Sequence, residues 1–279
     1  CKKAASAYSR AATSRTGVLD TARLHTYKFN EDLFKKVTVL PDGKNHGLVF
    51  VLDWSGSMSR EMLDTVKQLY NLIWFCKKVS IPFDVYAFTN EWKRREQDPT
   101  GQWNARDNEL PYEVQEYNLR VEEDFSLMNL LTSKVRTNEL EHQLKNIWRI
   151  ASVFYNTYGS RYSYPTRLCL SGTPLNEALM TLHKLLPKFQ KDNNVEKVQC
   201  IVLTDGEANS VPYHVLTKDY FNSDEWKMGM RGINPGHCSL RDRSLGKTYR
   251  IGYSWWQFTE ALIKNLQDKF PSSNFIGIR

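Results

Sequence analysis

Gly47-Leu-Val-Phe-Val-Leu-Asp-Trp-Ser-Gly-Ser57 is the stretch that decides the fold. Leu48–Leu52 is apolar without a break. A strand with one wet face alternates apolar and polar residues, whereas a strand covered on both faces reads as a continuous apolar run. The run therefore predicts a central strand of an α/β sheet. Downstream, Met62, Leu63, Val66, Leu69, Tyr70 and Ile73 recur at helical spacing to about Lys78, with Ser57 or Ser59 as candidate cap. Ile81–Phe88 is a second strand. Strand–helix–strand over about 47–88 is the pattern of a parallel pair joined by a crossover helix. Upstream, Leu33–Leu40 alternates in part and Pro41-Asp-Gly-Lys-Asn45 is turn chemistry. Together they predict a hairpin in which Leu33–Leu40 pairs with Gly47–Asp53.

The same pattern continues along the chain. Leu140, Leu144, Ile147, Ala151 and Phe154 place a helix over Asn138–Tyr155. Pro174 suits the first position of a helix carried by Leu175, Leu179, Leu182 and Leu186 to Pro187. Val195–Thr204 is another buried strand. Ser254 and Gln257 form a capping box for a helix over Trp255–Phe270, and Asn274–Ile278 is a final strand. Residues 89–135 show no clear period. The expected architecture is a three-layer, Rossmann-like α/β fold with a mostly parallel central sheet and helices on both faces. A basic N-terminal arm occupies 1–32, the main domain 33–279, and long inserts about 94–167 and 207–252.

A chain of 279 residues with 41% hydrophobic and 25% charged residues is an ordinary globular mixture, which argues against long disorder and membrane bundles. No apolar run approaches the roughly 20 residues that span a bilayer. The first residue is Cys1, so the chain reads as a fragment of a longer protein. The five cysteines, at 1, 76, 169, 200 and 238, include no CxxC pair, and free thiols in a reducing cytoplasm are the expectation. The net charge of +7 is local: residues 1–30 carry +5 and residues 231–250 carry +4, which leaves −2 elsewhere. The basicity therefore belongs to an arm and an insert, where it would steer an acidic partner.

Three oxygen-rich points stand at carboxyl ends of strands or at a helix start. They are Asp53-Trp-Ser55-Gly-Ser57, Ser171-Gly-Thr173-Pro-Leu and Thr204-Asp205-Gly206. Ligands of open parallel sheets bind at the carboxyl ends of the strands, so the three points should converge. Asp53, Ser55, Ser57, Thr173 and Asp205 make a hard, oxygen-only set, which suits Mg²⁺, with Mn²⁺ or Ca²⁺ as substitutes. Gly56 is expected to provide a tight bend that aims both serines at one ion. Gly246-Lys247-Thr248 lacks the upstream glycine of a phosphate loop, since position 241 is Arg. The six histidines have no triad or ligand spacing, and no GxSxG elbow surrounds Ser55. Catalysis by this chain itself is not expected.

DxSGS, GTPL and TDG in this order resemble a von Willebrand factor A domain with a complete metal-ion-dependent adhesion site. That resemblance implies direct coordination by Ser55, Ser57 and Thr173, with Asp53 and Asp205 direct or through water. It also implies a sixth ligand from an acidic residue of a partner protein. Thr16–Leu24, Phe88–Trp92 and Phe275–Arg279 are further similar to the C-terminal domain of cobaltochelatase CobT-like proteins. This finer resemblance implies work beside an AAA+ ATPase of the MoxR/CobS type, and a helix after the last strand that lies beyond this chain. The leading expectation is thus a magnesium-dependent interaction module that engages such an ATPase or its substrate. A cobaltochelatase subunit assisting metal insertion into a tetrapyrrole is the alternative. A basic nucleic-acid binder stands behind both.

Overall fold

The computed structural model describes residues 12–19, 34–39, 46–91, 112–122, 124–155, 164–206, 208–218 and 226–278. Contacts divide the chain into residues 1–46 and 47–279. In the first unit β1 (Ala12–Leu19) pairs antiparallel with β2 (Phe34–Val39), so a strand runs through the stretch read as a basic arm. The hairpin expected between Leu33–Leu40 and Gly47–Asp53 does not form. The second of those strands, β3 (His46–Asp53), belongs to the central sheet. A strand apolar on both faces is best covered at the middle of a sheet, and there both of its edges are already taken. The Pro41–Asn45 turn lies outside the described residues.

In the second unit β3 is followed by α1 (Met62–Lys78), β4 (Phe83–Asn90), β5 (Phe125–Thr132), α2 (Thr137–Tyr155), α3 (Leu175–Asn193) and β6 (Lys197–Leu203). Two hairpins come next: β7 (Pro212–Lys218) with β8 (Trp226–Gly232), and β9 (Ser239–Asp242) with β10 (Lys247–Arg250). Then α4 (Trp256–Lys269) and β11 (Ser273–Ile278) close the described chain. The central sheet has the order β11-β6-β3-β4-β5. β3 and β4 are parallel, as are β6 and β11, while β5 runs antiparallel at the edge. Both regions expected as inserts therefore hold regular structure. The first contributes β5 and α2 to the layers, and the second forms the two hairpins.

Alternation along β3 builds both cores. Val49 and Val51 face a cluster with Leu179, Leu182 and Leu186 of α3 and Phe258 and Leu262 of α4. Phe50 and Leu52 face the opposite cluster, with Val66, Leu69 and Ile73 of α1 and Leu140, Leu144 and Ile147 of α2. Each such full burial contributes roughly 1.5–3 kcal/mol. The result is the expected three-layer α/β fold with helices on both faces of a mostly parallel sheet. Gly47, the second residue of β3, has no room for a side chain, since a Cβ there would strike the ring of Phe189.

Four helix-end expectations are corrected. No serine side chain caps α1, whose N-cap is Glu61. Pro174 is the N-cap of α3 rather than its first helical residue, and the helix passes through Pro187 to Asn193. Burial of Leu186 and Phe189 on either side of Pro187 outweighs the lost backbone bond, and Asn194, left-handed at φ 51°, ends the helix. At α4 only half of the capping box forms. Gln257 Oε1 accepts the Ser254 N–H at 2.9 Å, while the return bond comes from the Gln257 main chain.

Candidate metal centre

The carboxyl ends of β3 and β6 lie side by side, and the three oxygen-rich points meet there. The turn after β3 is sewn to the entry of α3 by main-chain bonds. Gly56 N–H donates to Ser171 O at 2.8 Å, and Ser171 N–H to Trp54 O at 3.4 Å. Trp54 anchors the turn from beneath. It is 1% exposed, its Nε1–H donates to Leu168 O at 2.8 Å, and its ring meets Phe154 edge-on. Gly56 itself sits at φ −62°, ψ −33°, ordinary helical values, so the expected special bend is not needed. A short 3₁₀ turn over Ser57–Ser59 makes the bend instead.

Four of the five predicted residues are linked by hydrogen bonds. Ser57 Oγ–H donates to Asp205 Oδ1 at 2.9 Å, and the Ser55 and Ser57 hydroxyls lie 3.0 Å apart. Because Ser57 uses its only proton on Asp205, Ser55 donates to Ser57. Asp53 is fully buried behind them. Its Oδ1 accepts the Ser55 N–H at 3.0 Å and its Oδ2 the Thr204 hydroxyl at 2.5 Å. Thr173 and Ser57 both border Gly206: a Cβ on Gly206 would stand 3.8 Å from Thr173 Oγ1 and 4.0 Å from Ser57 Oγ. Among the described residues no group of three or more His, Cys, Asp or Glu is placed to hold a metal. Any ion here would rest on hydroxyls plus two carboxylates.

The donor chemistry suits a hard divalent ion. The observed 2.9 and 3.0 Å separations are hydrogen-bond lengths and bring three of the oxygens to within reach of one ion. Electrostatics agree. Burial raises the Asp53 carboxyl above its ordinary value, the Thr204 and Ser55 hydrogen bonds pull it down, and the Asp205 charge raises it again. Two carboxylates in one partly desolvated pocket favour a cation.

Sequence reasoning missed several supports. Thr204 positions Asp53, and its place beside Asp205 was the available signal. Asn90 and Asn209 enclose Gly172: a Cβ there would strike Asn90 Oδ1 and stand 3.3 Å from Asn209 Nδ2. Asn209 N–H also donates to Thr173 O at 3.1 Å. Gly172→Ala is expected to push the Thr173 loop off Asn90 and cost about 1–3 kcal/mol, as overpacking does, measured by urea unfolding. Wild-type stability in that variant would show the loop to be free to give way. His183 bonds Asn265 Oδ1 at 2.8 Å. Of the described cysteines, all free, Cys76 and Cys200 are buried, and burial pushes their thiols up to about 11 and about 12.

No family model matches the chain, and no curated protein matches it. Among solved structures, the chain is similar to the pilus adhesin SpaC from Lactobacillus rhamnosus GG in its open conformation. Identity is 15%, over 84% of this chain and 24% of the adhesin, with a TM-score of 0.41. A likeness at that level carries no argument about fold or function. No helix among the described residues is long and apolar enough to cross a membrane.

Proposed function

We propose that this chain is a magnesium-dependent protein-interaction module. The observation that carries the reading is the hydrogen-bonded convergence of Asp53, Ser55, Ser57 and Asp205, with Thr173 across Gly206 from Ser57. In this reading Ser55, Ser57 and Thr173 hold the ion. Asp53 and Asp205 balance its charge, and an acidic residue of a partner protein completes the shell. Metal and partner share one coordination sphere, so partner affinity follows metal occupancy. The hard oxygen set suits Mg²⁺, with Mn²⁺ or Ca²⁺ as substitutes. A MoxR/CobS-type AAA+ ATPase is the partner class that the sequence resemblance supplies, and the buried free thiols suit a cytoplasmic setting.

The test is affinity capture with the immobilised chain in Mg²⁺ against EDTA. We expect a partner retained in Mg²⁺, released by EDTA, and absent with Ser57→Ala or Asp205→Ala. Retention that ignores both chelator and substitutions rules the reading out.

A further inference from the structure

A second binding surface lies on the outer side of the α1–α2 layer. The two helices leave a groove of about 630 Å³ between Tyr70 and Asn71 of α1 and Leu144 and Trp148 of α2. Tyr70 is 40% exposed and Trp148 39%. Large aromatics left half-open in a concavity are unusual for a surface that faces only water.

The charge at the groove names its occupant. Three cations line it, Lys67, Lys145 and Arg149, and no carboxylate does. Lys67 lies 6.0 Å from the Trp148 ring centroid and pairs at 2.7 Å with Asp64, outside the lining. Among the described residues Lys145 makes no ion pair, and Arg149 donates from Nη1 to the neutral Asn146 Oδ1 at 3.2 Å. The groove runs along residues 67–71 of one helix and 144–149 of the other, about 6–8 Å at 1.5 Å per residue. That length takes two side chains one helical turn apart.

We infer that the α1–α2 groove docks an acidic helical segment of a partner protein through two bulky apolar residues spaced one turn apart. The apolar pair packs between Tyr70 and Trp148 over Leu144. Flanking Asp or Glu residues meet Lys145 and Arg149. This is helix-in-groove recognition, with anchors supplying affinity and charge supplying orientation. It needs no metal and is independent of the reading above.

The test uses two labelled probes and fluorescence anisotropy. One is a short helical peptide of Glu and Ala with two Leu residues one turn apart; the other is the same peptide with Lys for Glu. The acidic probe is expected to bind and to weaken with added salt. Its affinity should fall at least about tenfold with Trp148→Ala and again with Lys145→Glu plus Arg149→Glu, on the scale of an interface anchor. EDTA and Asp205→Ala should leave it unchanged. The inference is overturned if the acidic probe does not bind, if the basic probe binds equally, or if the groove substitutions have no effect. It is overturned too if EDTA or Asp205→Ala abolishes binding, since the probe would then be at the metal centre. Circular dichroism of each variant separates lost binding from lost fold.

Discussion

Asp53→Asn is expected to abolish stabilisation by magnesium while leaving the metal-free protein at least as stable as the wild type. Metal that binds only the folded chain stabilises it by RT ln(1 + [L]/Kd), about 2.7 kcal/mol at a hundredfold excess over Kd. The variant should show none of this. The metal-free expectation follows from the environment of Asp53. The carboxyl is fully buried beside Asp205, and burial raises its pKa more than the Thr204 and Ser55 bonds lower it. Folding thus favours the neutral acid over the carboxylate relative to the unfolded chain. The stability it contributes is present at low pH and is lost as pH rises through the raised pKa. Asparagine removes that charge and keeps an acceptor for the Ser55 N–H. Thermal unfolding with and without Mg²⁺, for both proteins, checks both halves. A magnesium shift that survives in Asp53→Asn would remove this residue from the site.

Glu177→Gln is the second large effect, and it concerns stability. Glu177 lies in the first turn of α3, 2% exposed, and its Oε2 has no hydrogen-bond partner among the described residues. Burial first, then the charges of Glu122 and Asp124, push its carboxyl from 4.5 up to about 7. The folded pKa exceeds the unfolded one, so the native state is favoured when the acid is protonated. That advantage is complete below about 4.5 and is lost as pH rises through about 7. The difference corresponds to on the order of 3 kcal/mol. Glutamine stays neutral throughout. The wild type should therefore lose stability between about pH 5 and about pH 8, and the variant should not lose this part. Urea unfolding across that range decides it, and parallel curves for the two proteins would refute it.

Much of the fold is legible in local pattern. Leu48–Leu52 could only be a covered strand, and the spacing of Val66, Leu69 and Ile73 could only serve a helix with one buried stripe. β5 was not legible. Phe125–Thr132 carries partly exposed residues along most of its length, so it lacks both the unbroken run of a central strand and clean alternation. It exists because β4 offers an edge, a fact held by another part of the chain. The end of α3 was misread for a similar reason: a proline forbids its own backbone bond, yet packing around Phe189 lies far off in sequence.

The candidate centre divides the same way. Residue type and position after a strand were enough to nominate Asp53, Ser55, Ser57, Thr173 and Asp205, because hard oxygen donors at strand ends are a local property. Their order along the chain cannot give a 2.9 Å link between residues 148 positions apart. That link depends on β6 lying beside β3. Likewise the partner of β2, the burial of Glu177 and the groove beneath Tyr70 and Trp148 are products of which surfaces meet. The sequence by itself determined the strands, the helices and the chemistry of the donors, through short-range sterics and periodicity. Tertiary structure decided pairing, burial and spacing, since those free energies belong to contacts between segments and to no segment alone.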